Sequence, residues 1–118
     1  MRIVIPVEDT NGTDAKLSRH FGRANFFAVV DLDGETKISF ERNVEHEEIG
    51  GRGRRVSQKI LDLKPEVLIV YQIGAGALAK LKNRVKIYKA EGKSVREVIS
   101  AFMAGKLQPI TEAECEGD

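Results

Sequence analysis

The second half of the chain switches repeatedly between two periodicities, and that switching limits the folds open to it. Residues 54–64 place Val56, Ile60 and Leu63 at helical spacing, and Pro65 ends the pattern. Glu66-Val-Leu-Ile-Val-Tyr71 follows as a short apolar run, the mark of a strand buried on both faces. Residues 74–82 return to a helical composition opened by Gly74 and Gly76, and Val85-Lys-Ile-Tyr88 is a brief strand. Val95, Val98, Ile99, Phe102 and Met103 then recur on one face of a last helix, with Ser94 and Glu97 as a capping box and Gly105 past its end. Strands separated by helices in this way run parallel, joined by right-handed crossovers.

The first half adds a different element. Residues 2–7 are nearly all apolar and predict a buried strand that ends near Pro6. Residues 8–14 are polar and read as a loop, from which Asp14 caps a brief helical turn through Leu17. Residues 25–31 predict a second strand, Asp33-Gly34 a tight turn, and residues 36–42 a third strand with Ile38 and Phe40 on one face. A hairpin added to parallel strands gives a mixed sheet. The expected fold is three-layer α/β/α with a five-stranded mixed sheet, in a single domain over residues 1–110.

Composition is ordinary for such a domain. A chain of 118 residues buries roughly two-thirds of the surface its unfolded form exposes, so it folds without staples. Nineteen Lys+Arg against eighteen Asp+Glu leave a net charge of +1, unlike the basic surface needed to wrap nucleic acid. The balance is uneven along the chain: residues 1–110 carry +5, whereas residues 111–118 hold Glu112, Glu114, Glu116 and Asp118 and read as an acidic, frayed tail. The single cysteine, Cys115, excludes an internal disulfide and any site built from several thiolates of one chain. The opening apolar run stops at Val7, too short for a signal segment, and no stretch is long enough to cross a bilayer. A cytoplasmic protein is expected, with no membrane partner.

Ligands in open α/β sheets bind beyond the carboxyl ends of the parallel strands. Three segments leave such ends, at residues 8–22, 72–76 and 89–93, and the glycine loop Gly50-Gly51-Arg52-Gly53 enters a helix near the same rim. Glycines at helix starts let backbone N–H groups approach an anion, and Arg52, Arg54 and Arg55 add guanidinium groups beside them. The same loop also reads as a plain flexible connection, and Gly74-Ala-Gly76 as tight strand–helix packing. His20 lies between Arg19 and Arg23 in Ser18-Arg-His-Phe-Gly-Arg23, where a neutral imidazole can bind a metal and the arginines can hold negative atoms. His46, among Glu45, Glu47 and Glu48, reads either as part of a divalent-ion site or as an exposed acidic loop. Ser18 and Ser57 lack a nucleophile elbow, and the carboxylates Glu8, Asp9, Asp31 and Asp33 sit in loops and at a turn rather than on neighbouring rigid strands. Nothing in the residues supports catalysis.

Ser18-Arg-His-Phe-Gly-Arg-Ala24 followed by Phe26-Phe-Ala-Val-Val-Asp31 resembles the dinitrogenase iron–molybdenum cofactor biosynthesis family, which includes NifX-like proteins and the carboxyl-terminal domain of some NifB proteins. Further matches are Gly50-Gly-Arg-Gly53, Val67-Leu-Ile-Val-Tyr-Gln-Ile-Gly74, Val85-Lys-Ile-Tyr88 and Val95-Arg-Glu-Val98 leading to Gly105-Lys-Leu107, so the likeness spans nearly the whole chain. The resemblance implies a ribonuclease-H-like fold and a carrier or accessory role for iron–sulfur or iron–molybdenum clusters, not catalysis. It implies His20 as the metal ligand, within a binding rim of Arg19, Phe21, Gly22, Arg23, Gly50, Gly51, Arg52, Gly53, Gly74 and Gly76. Relatives often carry a histidine by the glycine loop; here Arg52 stands there and His46 lies upstream. The implied partner is a metallocluster assembly or acceptor protein, with the chain itself a monomer or weak homo-oligomer. The alternative function is a sensor of small molecules or nucleotide phosphates that uses the same rim without metal.

Overall fold

A computed structural model describes residues 1–43 and 52–111 of the chain. Five strands form one sheet: β1 (Arg2–Val7), β2 (Phe26–Asp33), β3 (Glu35–Arg42), β4 (Val67–Val70) and β5 (Lys86–Lys89), in the order β3-β2-β1-β4-β5. β1, β4 and β5 are parallel, whereas β2 is antiparallel to both β1 and β3. The sheet is mixed and five-stranded, as the alternation of elements predicts. Its two halves meet at β1, which is buried from Ile3 to Val7 because it is central and covered on both faces.

The helices divide between those faces. α1 (Arg52–Asp62) and α2 (Ala75–Leu81) cover one, where Ile60, Leu78 and Leu81 pack with Val4, Phe27 and Leu68. α3 (Val95–Met103) covers the other, where Val95 and Val98 pack with Ile3, Ile5 and Ile69. Alternate residues of β1 feed the two cores, as the two-residue period of a strand requires.

Some local expectations hold and others need correction. β1 does end near Pro6, one residue later at Val7, and Pro6 itself belongs to the strand. The Leu32 N–H bonds the Met1 carbonyl at 2.9 Å, which fixes the phase of the β1–β2 ladder: the backbone nitrogen of residue 6 points away from β2, so no bond to β2 is lost there. Asp14 does not cap a helical turn reaching Leu17. A single 3-10 turn spans Gly12–Asp14, its N-cap position is Asn11, and the Asp14 carboxylate pairs instead with Arg96 on α3. Lys16 and Leu17 are extended, bridging to Ser94 and Val7 respectively. Arg52 and Gly53, expected in the loop, stand in the first turn of α1, where the entropy that glycine loses on ordering costs less than in a helix interior. The hairpin turn is as tight as predicted: Asp33 pairs with Glu35 around Gly34, whose φ of +80° suits a residue without Cβ.

Candidate functional site

The carboxyl ends of β1, β4 and β5 form one rim, and two chain segments cross it. Leu17 is buried in the core under α3, whereas Phe21, four positions on, is buried in the core under α1 and α2. Ser18, Arg19 and His20 therefore pass over the edge of the sheet from one face to the other. Tyr71 packs against the α3 core and Ile73 lies in the opposite one, so Gln72 makes the same crossing at the end of β4.

Hydrogen bonds hold the first crossing in place. The Ser18 N–H donates to the Pro6 carbonyl at 2.9 Å. The Ser18 hydroxyl donates to the His20 carbonyl at 3.0 Å and accepts from the His20 N–H at 3.2 Å, closing a local turn. Farther on, the Asn43 side chain is fully buried, and its Nδ2 donates to the carbonyls of Gly22 at 3.1 Å and Ala24 at 2.8 Å. Asn25 Nδ2 donates to the Glu8 carbonyl at 3.1 Å. The loop is thus tied to the ends of β1, β2 and β3.

This framework leaves Arg19 exposed and His20 half-buried at the rim. The Arg23 Nη2 lies 3.3 Å from His20 Nδ1 and 3.5 Å from Nε2. A guanidinium only donates, so this contact uses a lone pair of the imidazole. Phe21 is a correction: its side chain is 1% exposed and tilted against Phe27 at a centroid distance of 6.2 Å. It supports the loop from beneath and presents no surface to a ligand. Gly22 is also buried, its carbonyl taken by Asn43.

Beside Arg19 lies an open groove of about 910 Å³, lined by Glu8, Lys16, Leu17, Arg19, Tyr71, Gln72, Lys89, Gly92, Lys93 and Glu97. Four of these side chains are cationic and two anionic, which biases the groove towards negatively charged ligands. Lys16 Nζ is 3.6 Å from Glu8 Oε2, both well exposed, so the pair contributes little to stability. The Tyr71 hydroxyl donates to the Gly92 carbonyl. Burial, followed by the charge of Glu97, raises its pKa above the ordinary tyrosine value, so it remains a neutral donor. Gly92 has a φ of +131°, and a Cβ there would stand 2.8 Å from the Cβ of Glu97. Glycine is what allows the end of β5 to turn so close against α3.

The remaining sequence-predicted residues fall in three places. Gly50, Gly51 and His46 lie outside the described residues, as do Cys115 and the acids of the tail. Arg52 and Gly53 open α1, whose far end is tied to the amino edge of the sheet: Arg2 Nη1 donates to the Leu63 carbonyl at 2.7 Å, and the Glu66 N–H to the Arg2 carbonyl at 2.9 Å. α1 therefore begins on the carboxyl side, where the crossing segments lie. Gly74 is the N-cap of α2 and Gly76 is inside it. A Cβ on Gly76 would meet nothing within 4 Å, so close packing does not account for this glycine. Sequence reading placed Lys16 and Gln72 only within the rim segments 8–22 and 72–76, and missed Tyr71 and Glu97. The only signal was their place near strand ends, since cations scattered from residue 16 to residue 93 make no local motif.

Comparison with known proteins shows the family and the fold. The family described as dinitrogenase iron-molybdenum cofactor matches residues 1–105. The protein MJ0580 of Methanocaldococcus jannaschii is 31% identical over 111 residues, covering 92% of this chain and 90% of its own. The apo form of the orange protein from Desulfovibrio gigas superposes with a TM-score of 0.89 at 25% identity, covering 97% of this chain and 96% of that one. A candidate NifB protein from Thermotoga gives 0.75 at 30% identity, with 98% of each chain covered. With the family match running from the first strand through the last helix, this chain is a member of the dinitrogenase iron–molybdenum cofactor family.

Proposed function

We propose that the carboxyl rim is a seat for an anionic metal–sulfur cluster, iron–sulfur or iron–molybdenum or a precursor of one. The chain carries that cargo during cofactor biosynthesis and passes it to an assembly or acceptor protein; it does not transform it. The observation that supports this reading is the passage of Ser18, Arg19 and His20 over the rim, where Arg19 lines a groove with a cationic excess and His20 is its chain neighbour. Such a cluster brings its own sulfide ligands and a net negative charge, so it needs few protein donors. A single exchangeable imidazole with surrounding cations holds it without enclosing it.

The residues take distinct parts in this reading. His20 is the metal ligand, and Arg23, now on the imidazole at 3.3 Å, turns to the anion when the ring is engaged. Arg19 and the lysines of the groove, Lys16, Lys89 and Lys93, balance the charge. Gly22 and Phe21 fix the loop, and the first turn of α1, with Arg52 and Gly53, supplies N–H groups pointing to the same edge. Gly50 and Gly51 belong to the approach to that turn. Gly74 and Gly76 contribute backbone only, and α2 is too short, at seven residues, to add a substantial dipole.

Anaerobic titration with a synthetic iron–sulfur cluster and with a molybdenum–iron–sulfur precursor tests the reading, monitored by visible absorption and by thermal stabilisation. Wild type binds, and His20→Ala weakens binding about tenfold or more, the loss of one metal–ligand bond or its support. Equal binding by the two proteins removes His20 as the ligand. Stabilisation by nucleotide phosphates but by neither cluster replaces the carrier with a phosphate sensor at the same groove.

A further inference from the structure

β3 is the outermost strand of the sheet and is bonded to β2 alone among the described strands. The Asn43 N–H donates to the Asn25 carbonyl at 3.0 Å, and this bond sets the phase of the β2–β3 ladder. Odd-numbered residues of β3 turn their N–H and C=O towards β2, and even-numbered residues turn theirs outward. Thr36, Ile38, Phe40 and Arg42 thus present a row of backbone donors and acceptors to the outside. Ile38 and Phe40 are half-buried against the α3 core, while Lys37, Ser39 and Glu41 are exposed on the opposite face. An eight-residue edge without proline is a template for another strand.

The charges of β3 identify which strand fits. Two copies of β3, paired antiparallel about a two-fold axis normal to the sheet, keep each residue on its own face, so only residues of like parity can oppose each other. With the axis at Ser39, Lys37 of each copy opposes Glu41 of the other, Ile38 opposes Phe40, and Thr36 opposes Arg42. The opposite-charge pair and the apolar pair each form twice, and every outward backbone group of the four even residues is bonded. Neighbouring registers lose this match. An axis at Ile38 sets Glu35 against Glu41, an axis at Lys37 sets that lysine against itself, and an axis at Phe40 leaves no charge pair. A second feature lies on the same edge: an apolar slot of about 250 Å³ on the α3 face, walled by Val30, Thr36, Ile38 and Ile99. Phe40 and Arg42 of the second copy arrive opposite Ile38 and Thr36, at the mouth of that slot.

We propose that the chain associates with a second copy of itself through β3, in the register centred on Ser39, extending the sheet across the dimer. Because the paired strands are antiparallel, the two carboxyl rims lie on opposite edges of the joined sheet. Each stays open, and the proposal stands apart from what the rim binds.

The test is a charge exchange read by sedimentation velocity from micromolar to millimolar protein. Wild type shows a monomer–dimer equilibrium. Lys37→Glu and Glu41→Lys each set like charges opposite one another twice in a homodimer, and each weakens self-association by about tenfold or more. Mixed together, the two variants restore both pairs and form a heterodimer of near wild-type affinity. Lys37→Glu also places a carboxylate across from Asp31 on β2, whereas Glu41 faces Phe27, so Glu41→Lys provides the variant free of that complication. Ser39→Cys in a Cys115→Ser background reads the register: residue 39 meets its own copy at a close, non-hydrogen-bonded position and oxidises to a linked dimer. A protein that is monomeric throughout, a dimer indifferent to both substitutions, or a Ser39→Cys chain that does not cross-link overturns the proposal.

Discussion

Asn43 joins the rim loop to the sheet through two hydrogen bonds from one buried amide. Asn43→Ala leaves the carbonyls of Gly22 and Ala24 short of their donor in a site closed to water, so about 2 kcal/mol of stability is lost. Asn43→Asp costs more, because a carboxylate there faces two carbonyl oxygens and repels both. Urea unfolding of the two variants checks the order. On the proposed carrier reading, cluster titration of the same variants shows weaker binding, since Gly22 sits two residues from His20. Surface substitutions at Glu35 or Lys86, both exposed and away from the rim, leave stability and binding unchanged.

Among the elements, α3 has the most complete start signal. The Ser94 hydroxyl accepts the Glu97 N–H at 3.3 Å, and the Glu97 carboxylate takes the Lys93 N–H at 3.1 Å and the Ser94 hydroxyl at 3.2 Å. Ser94→Ala removes the cap and costs about 1 kcal/mol, measurable as a lower urea midpoint with an unchanged slope. This helix was legible because capping box, apolar spacing and terminal glycine all agree; only Met103, expected on the apolar face, ends the helix 67% exposed. The hairpin was legible for a similar reason: Asp33-Gly34 and the alternation of Ile38 and Phe40 are local signals. The start of α1 was not: Arg52 is a good helix former, but Gly53 is a weak one and the run of glycines around Arg52 reads locally as a loop. Of the candidate site, the sequence singles out Arg19, His20 and Arg23, which lie in one short motif, and otherwise marks only the segments 8–22, 72–76 and 89–93. Its other half, Lys16, Tyr71, Gln72 and Glu97, comes together only when the carboxyl ends of three strands are brought side by side. Phe21 misled because a motif states adjacency in the chain and not which way a side chain turns.

At the scale of the whole molecule, the amino edge of the sheet is clamped by one arginine. Arg2 Nε donates to Asp31 Oδ1 at 2.8 Å and Nη2 to Oδ2 at 3.3 Å, while Nη1 reaches the Leu63 carbonyl beyond α1, so β1, β2 and the α1–β4 connection meet there. Hydrogen bonding from Arg2 holds the Asp31 pKa below the ordinary aspartate value. The folded state therefore takes up this proton at lower pH than the unfolded chain does. The stabilisation is complete above the ordinary aspartate pKa and disappears as the pH falls through the lowered one. Asp31→Asn removes that contribution, so a plot of melting temperature against pH loses part of its acid slope while the neutral region shifts down. At the opposite edge, the three residues that cross the rim hang between Leu17 and Phe21, each sunk in a different core. That span is short and moored at both ends, four Cα steps reaching at most about 15 Å, and the Ser18–His20 hydrogen bonds hold its turn. It cannot swing aside like a door. On the proposed carrier reading, a cluster resting there arrives and departs from the solvent side, and an acceptor protein comes up to it and lifts it off.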